Sequence, residues 1–456
     1  MTMELLAGAM FAVLALGVFS GYPVALVLVA AGFFGFLGAV AAGVAELHNL
    51  GLYYLRVRGA LTNEDIQFIS VPLLILLGVV LNESRMAAVM FSVLSRWLRK
   101  LPGQHAIVTL LIGLLLAPAA GVIGASVVAV GLVAFRPMLS AGYPARLAGG
   151  AVAAAGAVGV VFPPAIMLFF VANTLRLQFS LAYLAMIGPV LLLVLSFAIY
   201  FAMKAPRSQP VQPVGDDSEA TWVDFLVPVS LVLAIPGSVI SGLATLTEAA
   251  GLGAALTLIT AFLRRQMTLR ALHRVLMKTS EMTAMIFFIV IGATIFSLSF
   301  NLLNGPAMLH DWIESLFLGR WQMLALLLGV IFVLGFVFDW IEILLVFLPI
   351  LLPVFHGLDF ADHVGSSYIA TAWLGALIVM SLQTSFLTPP FGYALFFARS
   401  AAPESVSLGQ IYRGAIPLVC LEVMVIFIIA ALPQIVVWLP ANLLDLTGLL
   451  PVLRGD

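Results

Sequence analysis

Residues 383–393, QTSFLTPPFGY, interrupt one of the most apolar stretches of the chain with two consecutive prolines. A proline has no backbone N–H, and the residue before it disfavours the α conformation, so a helix is expected to stop there. A second stretch, VVFPPAI at residues 160–166, repeats the double proline far upstream. Lipid offers no hydrogen bonds to the carbonyls that such a break frees. The two stretches therefore predict a pair of membrane segments that are each broken in the middle, for a reason other than packing in lipid.

The composition is that of an integral membrane protein. Hydrophobic residues make up 63% of the 456 residues and charged residues only 9%, whereas soluble domains carry about 25% charged residues. The apolar runs continue over about twenty residues, which is the length of a transmembrane helix. The sequence thus predicts an all-α polytopic membrane protein. Its single cysteine, Cys420, excludes an internal disulfide.

Uninterrupted apolar runs predict a first set of membrane spans. They lie near residues 4–20, 23–45, 70–83, 181–203, 223–243, 246–263, 279–302 and 412–433. Two further regions, 147–175 and 369–399, are apolar but broken, and they bring the prediction to about ten transmembrane helices. The first run lacks a basic region before it, so we expect a span and not a cleaved signal peptide.

The positive residues indicate the orientation of these spans. Most of the 20 Lys and Arg residues fall in loops on one side, which the positive-inside rule makes cytoplasmic. Both termini and the loops at 46–69, 303–321 and 357–368 are then expected on the outside. The charge pattern holds only if regions 105–140 and 322–356 each enter and leave on one side. They are therefore predicted to be re-entrant helical hairpins, the first opening to the cytoplasm and the second to the outside.

The two halves of the chain resemble each other. VPLLILLGVVL at 71–81 corresponds to MIFFIVIGATI at 285–295, and Gly121 in the first hairpin and Gly335 in the second recur at the same offset. Because the hairpins open to opposite sides, the repeat is inverted in the membrane. Inverted repeats whose broken helices meet near the midplane are typical of secondary transporters.

This repeat predicts a domain organisation in five parts. They are N-terminal scaffold helices at 1–70, a first repeat at 71–203, a linker with scaffold helices and a basic interfacial helix at 204–278, a second repeat at 279–433, and a C-terminal tail at 434–456.

Four helix interruptions are expected to converge and form a binding site. Their sequences are GVIGAS (121–126), GVVFPP (159–164), GFVFDWIE (335–342) and QTSFLTPP (383–390). Freed carbonyls and hydroxyls suit a hard monovalent cation, and helix N-termini favour an anion. The side-chain oxygens available are those of Ser126, Asp339, Glu342, Gln383, Thr384, Ser385 and Thr388. The alternative for each Gly or Pro is a simple helix kink, but four matched breaks favour a functional role.

Asp339 and Glu342 are the acids of the second hairpin. Acids at membrane depth are costly and are functional candidates by default, and their i, i+3 spacing places both on one helical face. The alternative is a capping box, with Asp339 as N-cap and Glu342 three residues on. Both interpretations stay open. No Lys or Arg lies in the four interruption sequences at mid-membrane depth, so an anionic substrate would depend on helix ends, hydroxyls and coupled cations, which argues for cation coupling.

Two further motifs have structural explanations. TLTEAA at 245–250 predicts a helix start, with Thr245 or Thr247 as cap and Glu248 in the first turn, or alternatively a contact with a partner subunit or a gate. The run RRQMTLRALHRVLMK at 264–278 predicts an amphipathic helix on the lipid bilayer surface. The sequence has no nucleotide-binding glycine loop and no nucleophile–base arrangement, which excludes ATP-driven transport by this chain alone and argues against an enzyme.

Six motifs occur in order from residue 71 to 398 and together resemble a known family. They are VPLLILLGVVLNES, GVIGASVVAVG, GVVFPPAI, TLTEAAGLGA, FVFDWIEILLVFLPILLPV and LTPPFGYALFFA. They are similar to the large membrane (permease) subunit of tripartite ATP-independent periplasmic (TRAP) transporters, and the resemblance covers nearly the whole chain. It implies an inverted-repeat ion-transporter-type fold, an elevator mechanism and a cell inner membrane location.

The resemblance also implies partners. They are Na⁺ as the coupling ion with no other cofactor, a separate small four-helix membrane subunit, and a periplasmic substrate-binding protein that delivers a small carboxylate, with 2-oxo acids as one option. No nucleic acid partner is expected.

Carried over residue by residue, the resemblance places the hairpin tips at Gly124–Ser126 and Phe338–Glu342. The facing breaks are then Gly159–Pro164 and Thr388–Gly392. The candidate sodium- and substrate-binding residues are Gly124, Ala125, Ser126, Gly159, Pro163, Pro164, Asp339, Glu342, Gln383, Thr384, Ser385, Thr388, Pro389, Pro390 and Gly392, of which Ser126, Asp339, Ser385 and Thr388 are the expected Na⁺ ligands.

Two departures from the family pattern weaken the first-half site. The first tip has one hydroxyl, that of Ser126, where the family usually has several. Phe162 precedes the first proline pair, whereas Thr388 precedes the second.

Two other functions remain to be distinguished from this one. A stand-alone anion or metalloid transporter of the related ion-transporter fold would need no binding protein, and neighbouring genes for a binding protein and a four-span membrane protein would argue against it. A channel can also use broken helices, but two inverted hairpins are not expected in a channel.

Overall fold

The computed structural model of the chain describes residues 2–62, 68–84, 86–116, 123–206 and 222–446, and this part is helical, without a β-strand. The helices of the first half are α1 (Thr2–Phe19), α2 (Val24–Ala41), α3 (Leu50–Thr62), α4 (Ser70–Glu83), α5 (Met86–Trp97), α6 (Gln104–Leu115), α7 (Ile123–Ser140), α8 (Ala145–Gly159), α9 (Ile166–Leu175) and α10 (Phe179–Lys204). Those of the second half are α11 (Trp222–Ile240), α12 (Leu246–Leu263), α13 (Leu269–Leu302), α14 (Gly305–Glu314), α15 (Arg320–Leu334), α16 (Trp340–Glu342), α17 (Leu348–Gly357), α18 (Ala361–Val364), α19 (Ser367–Leu387), α20 (Tyr393–Ala401), α21 (Leu408–Ala431) and α22 (Gln434–Leu446). The predicted all-α fold class is confirmed.

Length and composition identify the helices that can cross a membrane. Among the described residues, eight helices are long and apolar enough, and counting α4 and α5, which bend by 70°, as one span gives nine. The predicted number of about ten also counts α1 and treats each helix broken at a double proline as one crossing. The predicted hairpin limb α7 passes the same test as the spans, because length alone does not distinguish a crossing from a re-entrant limb.

The chain divides into two compact units. The first comprises Met1–Phe68 and Glu281–Asp359, and the second comprises Ile69–Ser280 and Phe360–Asp456. The predicted division into five parts, with an inverted repeat of 71–203 and 279–433, stays a prediction.

In the first unit, aromatic and hydroxyl contacts hold the helices together. The ring of Phe11 on α1 meets those of Phe296 and Phe300 on α13 edge to face, at centroid distances of 5.3 and 5.4 Å. Tyr53 OH on α3 lies 2.7 Å from Ser299 Oγ, which donates to the carbonyl oxygen of Gly32 at 2.6 Å. These bonds join α3, α13 and α2 without leaving the buried hydroxyls unpaired.

In the second unit, α8 and α19 form the core. Residues 147–159 of α8 and 372–387 of α19 are buried throughout, which fits helices that are apolar on all sides. Small residues bring α8 against its neighbour α21, because a Cβ built on Gly150 would lie 2.6 Å from the carbonyl oxygen of Gly414. The first halves of both broken helices are therefore the best-buried elements of this unit.

Several boundaries differ from the prediction. The predicted loops at 46–69 and 303–321 contain α3 and α14, and the predicted tail at 434–456 begins with α22, which packs on α10. These helices are short, and an apolar-run analysis tuned to membrane spans does not detect them.

The basic run at 264–278 is not a separate helix. Its last ten residues form the beginning of α13, which continues without interruption through the predicted span at 279–302. Thr268 Oγ1 accepts a hydrogen bond from the backbone N–H of Ala271 and so caps the start of α13. The segment between the basic face and the apolar span contains neither Gly nor Pro, so nothing ends the helix there.

Candidate functional site

The first break separates α8 from α9. Residues 160–165 are not helical, and the peptide bond between Pro163 and Pro164 is cis. Both prolines and Gly159 are buried, and Phe162 is partly exposed. The carbonyl oxygen of Phe162 accepts from the backbone N–H of Ala165 at 2.9 Å just before α9 begins. The double proline ends the helix as predicted.

The first hairpin brings Ser126 to this break. Gly124, Ala125 and Ser126 lie in the first turn of α7, while Gly121 of the predicted bend lies outside the described residues. Ser126 is 0% exposed, and its Oγ has no hydrogen-bond partner among the described residues. A Cβ built on Gly159 would lie 3.5 Å from this Oγ and 2.5 Å from the carbonyl oxygen of Gly113 on α6. Gly159 therefore lets both limbs of the hairpin approach α8 at the break.

The second break separates α19 from α20. It runs from Thr388 to Gly392, and the peptide bond between Pro389 and Pro390 is cis. The backbone N–H of Gly392 donates to the carbonyl oxygen of Thr388 at 3.0 Å. Tyr412 OH on α21 donates to the carbonyl oxygen of Pro390 at 2.9 Å. Unlike the first break, this one is partly exposed at Thr388 and Pro389 and exposed at Pro390.

Two hydroxyls just before the second break and one at its first residue each donate to a carbonyl of α19. Thr384 Oγ1 donates to Met380 O at 2.9 Å, Ser385 Oγ to Leu382 O at 2.6 Å, and Thr388 Oγ1 to Thr384 O at 2.7 Å. A hydroxyl has one proton and two lone pairs. With its proton committed to α19, each hydroxyl oxygen keeps lone pairs that can coordinate a cation.

The second hairpin carries a capping box. Asp339 Oδ1 accepts from the backbone N–H of Trp340 at 2.8 Å, and Glu342 Oε2 accepts from the backbone N–H of Asp339 at 2.6 Å. The predicted cap is thus confirmed, and Glu342 is buried while Asp339 is partly exposed. A π-helical segment, Ile343–Phe347, follows directly. The Asp339 side chain also accepts from the backbone N–H of Glu342, so the two acids cap the start of α16 reciprocally.

The second unit brings three of the four predicted interruptions onto helices that pack together. α7 packs on α8 and α20, and α19 packs on α8 and α9. A Cβ built on Gly124 would lie 2.5 Å from the ring of Phe397 on α20, so the first hairpin tip also meets the helix that follows the second break. The fourth interruption, with Asp339 and Glu342, belongs to the first unit.

Glu422 is a buried acid that the sequence analysis did not select. It lies in α21, is 0% exposed, and its Oε1 accepts a hydrogen bond from Gln383 Nε2 at 3.2 Å. The signal was present in the sequence, because Glu422 is the one acid in the apolar run of α21. Among the described residues, no group of three His, Cys, Asp or Glu side chains could hold a metal ion.

Known proteins resemble this chain over most of its length. The DctM component of the C4-dicarboxylate TRAP transporter of Pseudomonas aeruginosa, a large permease protein, is 26% identical over 83% of this chain and 87% of that protein. The sialic acid TRAP transporter large permease protein SiaM of Vibrio cholerae is 25% identical over 83% and 87%. The 2,3-diketo-L-gulonate TRAP transporter large permease protein YiaN of Escherichia coli is 22% identical over 82% and 86%.

A solved structure and a family model complete the comparison. The crystal structure of the YdaH transporter of Alcanivorax borkumensis has a TM-score of 0.56 at 16% identity, over 88% of this chain and 90% of that one, which shows a similar fold. The model of the DctM component of tripartite ATP-independent periplasmic transporters matches residues 7–435. The chain therefore belongs to this family, as a large membrane subunit and not an enzyme.

Proposed function

We propose that the chain carries small organic acids across the inner membrane by sodium symport. In this proposal a periplasmic binding protein delivers the solute, a small membrane subunit accompanies the chain, and the transport helices move as an elevator. The observation that carries the sodium part is the second break, where Thr384, Ser385 and Thr388 commit their protons to carbonyls of α19. Oxygen lone pairs beside a helix break suit a hard monovalent cation.

The first break offers a second, poorer cation site. Ser126 Oγ is buried without a partner among the described residues and lies beside Gly159. One hydroxyl and the carbonyls of a broken helix provide fewer oxygens than the second break does. We propose that a sodium ion here depends mainly on backbone carbonyls, and that the two halves bind their ions with different affinities.

The class of solute is proposed from the relatives and from the charges of the chain. The relatives named above are transporters of C4-dicarboxylates, sialic acid and 2,3-diketo-L-gulonate, which are all carboxylates. The four interruption sequences, 121–126, 159–164, 335–342 and 383–390, contain no Lys or Arg. A carboxylate would therefore be held by the helix N-termini that follow the breaks, at α9 and α20, and by the positive charge of bound sodium.

Uptake by purified components tests this proposal. The chain and its small subunit are reconstituted in liposomes, and uptake of a labelled carboxylate is measured with the binding protein outside. We expect uptake only with an inward sodium gradient and with the binding protein. Equal uptake from a potassium gradient contradicts sodium coupling. Equal uptake without the binding protein contradicts delivery and favours the stand-alone transporter.

A further inference from the structure

A buried acid and a buried amide face each other behind the second break. Gln383 on α19 and Glu422 on α21 are both 0% exposed, and Gln383 Nε2 donates to Glu422 Oε1 at 3.2 Å. The other oxygen of each side chain, Gln383 Oε1 and Glu422 Oε2, has no hydrogen-bond partner among the described residues. The pair thus has one hydrogen bond and two oxygens left over.

The protonation state of Glu422 decides whether these oxygens are satisfied. An ionised carboxylate with one amide donor would be a buried charge without a counter-charge, which is strongly unfavourable. A protonated carboxyl group has one donor, its O–H, and one acceptor, its carbonyl oxygen. A primary amide can present a matching N–H donor and carbonyl acceptor. A single proton on Glu422 Oε2 can therefore be donated to Gln383 Oε1 and satisfies both remaining oxygens.

Among the described residues, the cations of the neighbouring helices lie away from Glu422. The cations on the helices packed against α21 are at helix ends: Arg146 lies in the first turn of α8, Lys204 ends α10, and Arg399 lies in the last turn of α20. The backbone of Arg146 meets α21 at Gly414, about 12 Å along the helix from Glu422. The other ionisable residues with described side chains on these helices and on α21 are Tyr183, Tyr200, Tyr368, Tyr393, Tyr412, Arg413 and Cys420. His363 of α18 also meets α21, where its Nε2 donates to the carbonyl oxygen of Ala430 at 2.9 Å, about 12 Å along the helix from Glu422.

We propose that Glu422 is held as the neutral carboxylic acid and forms a two-hydrogen-bond pair with Gln383. The pair fixes the end of α19 against α21 immediately before Thr384, Ser385 and Thr388 reach the break. Glu422 is then a positioning residue, which acts through Gln383 and does not contact the ion or the solute. This inference does not depend on which ion is coupled to transport.

Infrared spectroscopy of the purified chain tests the protonation state. We expect the difference spectrum of wild type minus Glu422→Gln to show the carbonyl stretch of a protonated carboxylic acid, which shifts in D₂O. The matched control is Glu248→Gln, because Glu248 is exposed and is expected to contribute no such band. A difference spectrum with carboxylate bands instead means that Glu422 is ionised, which overturns the proposal.

Stability measurements test the pairing. Glu422→Gln replaces the acid hydroxyl by an amide N–H and can form the same two bonds, so we expect its unfolding temperature to equal that of wild type. Glu422→Leu leaves Gln383 buried without a partner, so we expect a lower unfolding temperature and uptake reduced about tenfold. The exchange Gln383→Glu with Glu422→Gln is expected to restore the unfolding temperature. Equal stability of the Leu and Gln variants, or failure of the exchange, contradicts the pairing.

Discussion

Thr388 carries a hydroxyl that bonds to its own helix beside the second break. Its Oγ1 donates to the carbonyl oxygen of Thr384 at 2.7 Å, and the residue stays partly exposed at the break. Thr257 on α12 makes the same kind of bond to the carbonyl oxygen of Gly253 at 2.7 Å, but it lies inside an unbroken helix. The two threonines share the structural role, and only Thr388 lies at a predicted cation site.

This contrast gives a prediction for Thr388→Val. The substitution keeps the volume and removes the oxygen, so we expect the sodium concentration for half-maximal uptake to rise about tenfold, equivalent to about 1.4 kcal/mol. Thr257→Val is the matched control and is expected to leave it unchanged. Sodium titrations of uptake in liposomes measure both. The same half-maximal concentration in the two variants would remove Thr388 from the ligand set.

Asp339 allows the cap and the charge to be separated. Asn still caps a helix, whereas Ala does not and costs about 1 kcal/mol. We expect Asp339→Asn to keep the unfolding temperature of wild type and to weaken sodium activation, and Asp339→Ala to lower both. Thermal unfolding and sodium titration are measured on the same preparations. Undiminished sodium activation in Asp339→Asn would show that the carboxylate serves only as a cap.

At the residue level, contacts between residues close in the sequence could be predicted, and contacts between residues on different helices could not. The capping boxes at Asp339 and Thr245 follow from residues three apart and are present in the structure. The approach of Ser126 to Gly159 depends on how three helices pack, which no local pattern contains. Glu422 lies outside the helix breaks and its partner Gln383 reaches it from another helix, so no local pattern pairs the two.

Among the helices, the breaks were more predictable than the boundaries. Two consecutive prolines end α8 and α19 within a few residues of the predicted positions, because proline acts on its own backbone and that of its neighbour. The predicted start of α13 was wrong, because the change from a basic to an apolar segment does not interrupt a helix. The short helices α3, α14 and α22 were missed, since their length is set by packing and not by membrane thickness.

The packing of α8 leads to a prediction for Gly159. A Cβ at this position would lie 2.5 Å from the carbonyl oxygen of Gly113, a backbone atom that cannot rotate away. We expect Gly159→Ala to destabilise the chain by about 1–3 kcal/mol, the cost of overpacking a core, and to reduce uptake. Gly237→Ala on α11 is the control, because no atom lies within 4 Å of its Cβ position. Equal unfolding temperatures for the two variants would contradict the close approach of α6 and α8.

For the whole molecule, composition and motifs were sufficient for the fold class and the family. The all-helical structure and the family match over residues 7–435 agree with the prediction. The orientation is a different kind of prediction, because it rests on where Lys and Arg fall and on no contact within the chain. It can be tested independently of transport, since the chain has a single cysteine that can be removed.

Cysteine labelling in intact cells tests this orientation. Cys420→Ser gives a cysteine-free background, into which Phe317→Cys and Leu269→Cys are introduced separately. Both positions are exposed on the chain, at 94% and 78%, so burial within the chain does not account for a difference in labelling. Phe317 lies in the loop predicted outside, so we expect a membrane-impermeant maleimide to label it at once. Leu269 lies in the basic run predicted to be cytoplasmic, so labelling is expected only after permeabilisation.

The reverse labelling pattern would mean that the topology is inverted. Labelling of both positions in intact cells would place the basic run and the 303–321 loop on the same side of the membrane. The single predicted crossing between them, at 279–302, does not allow that.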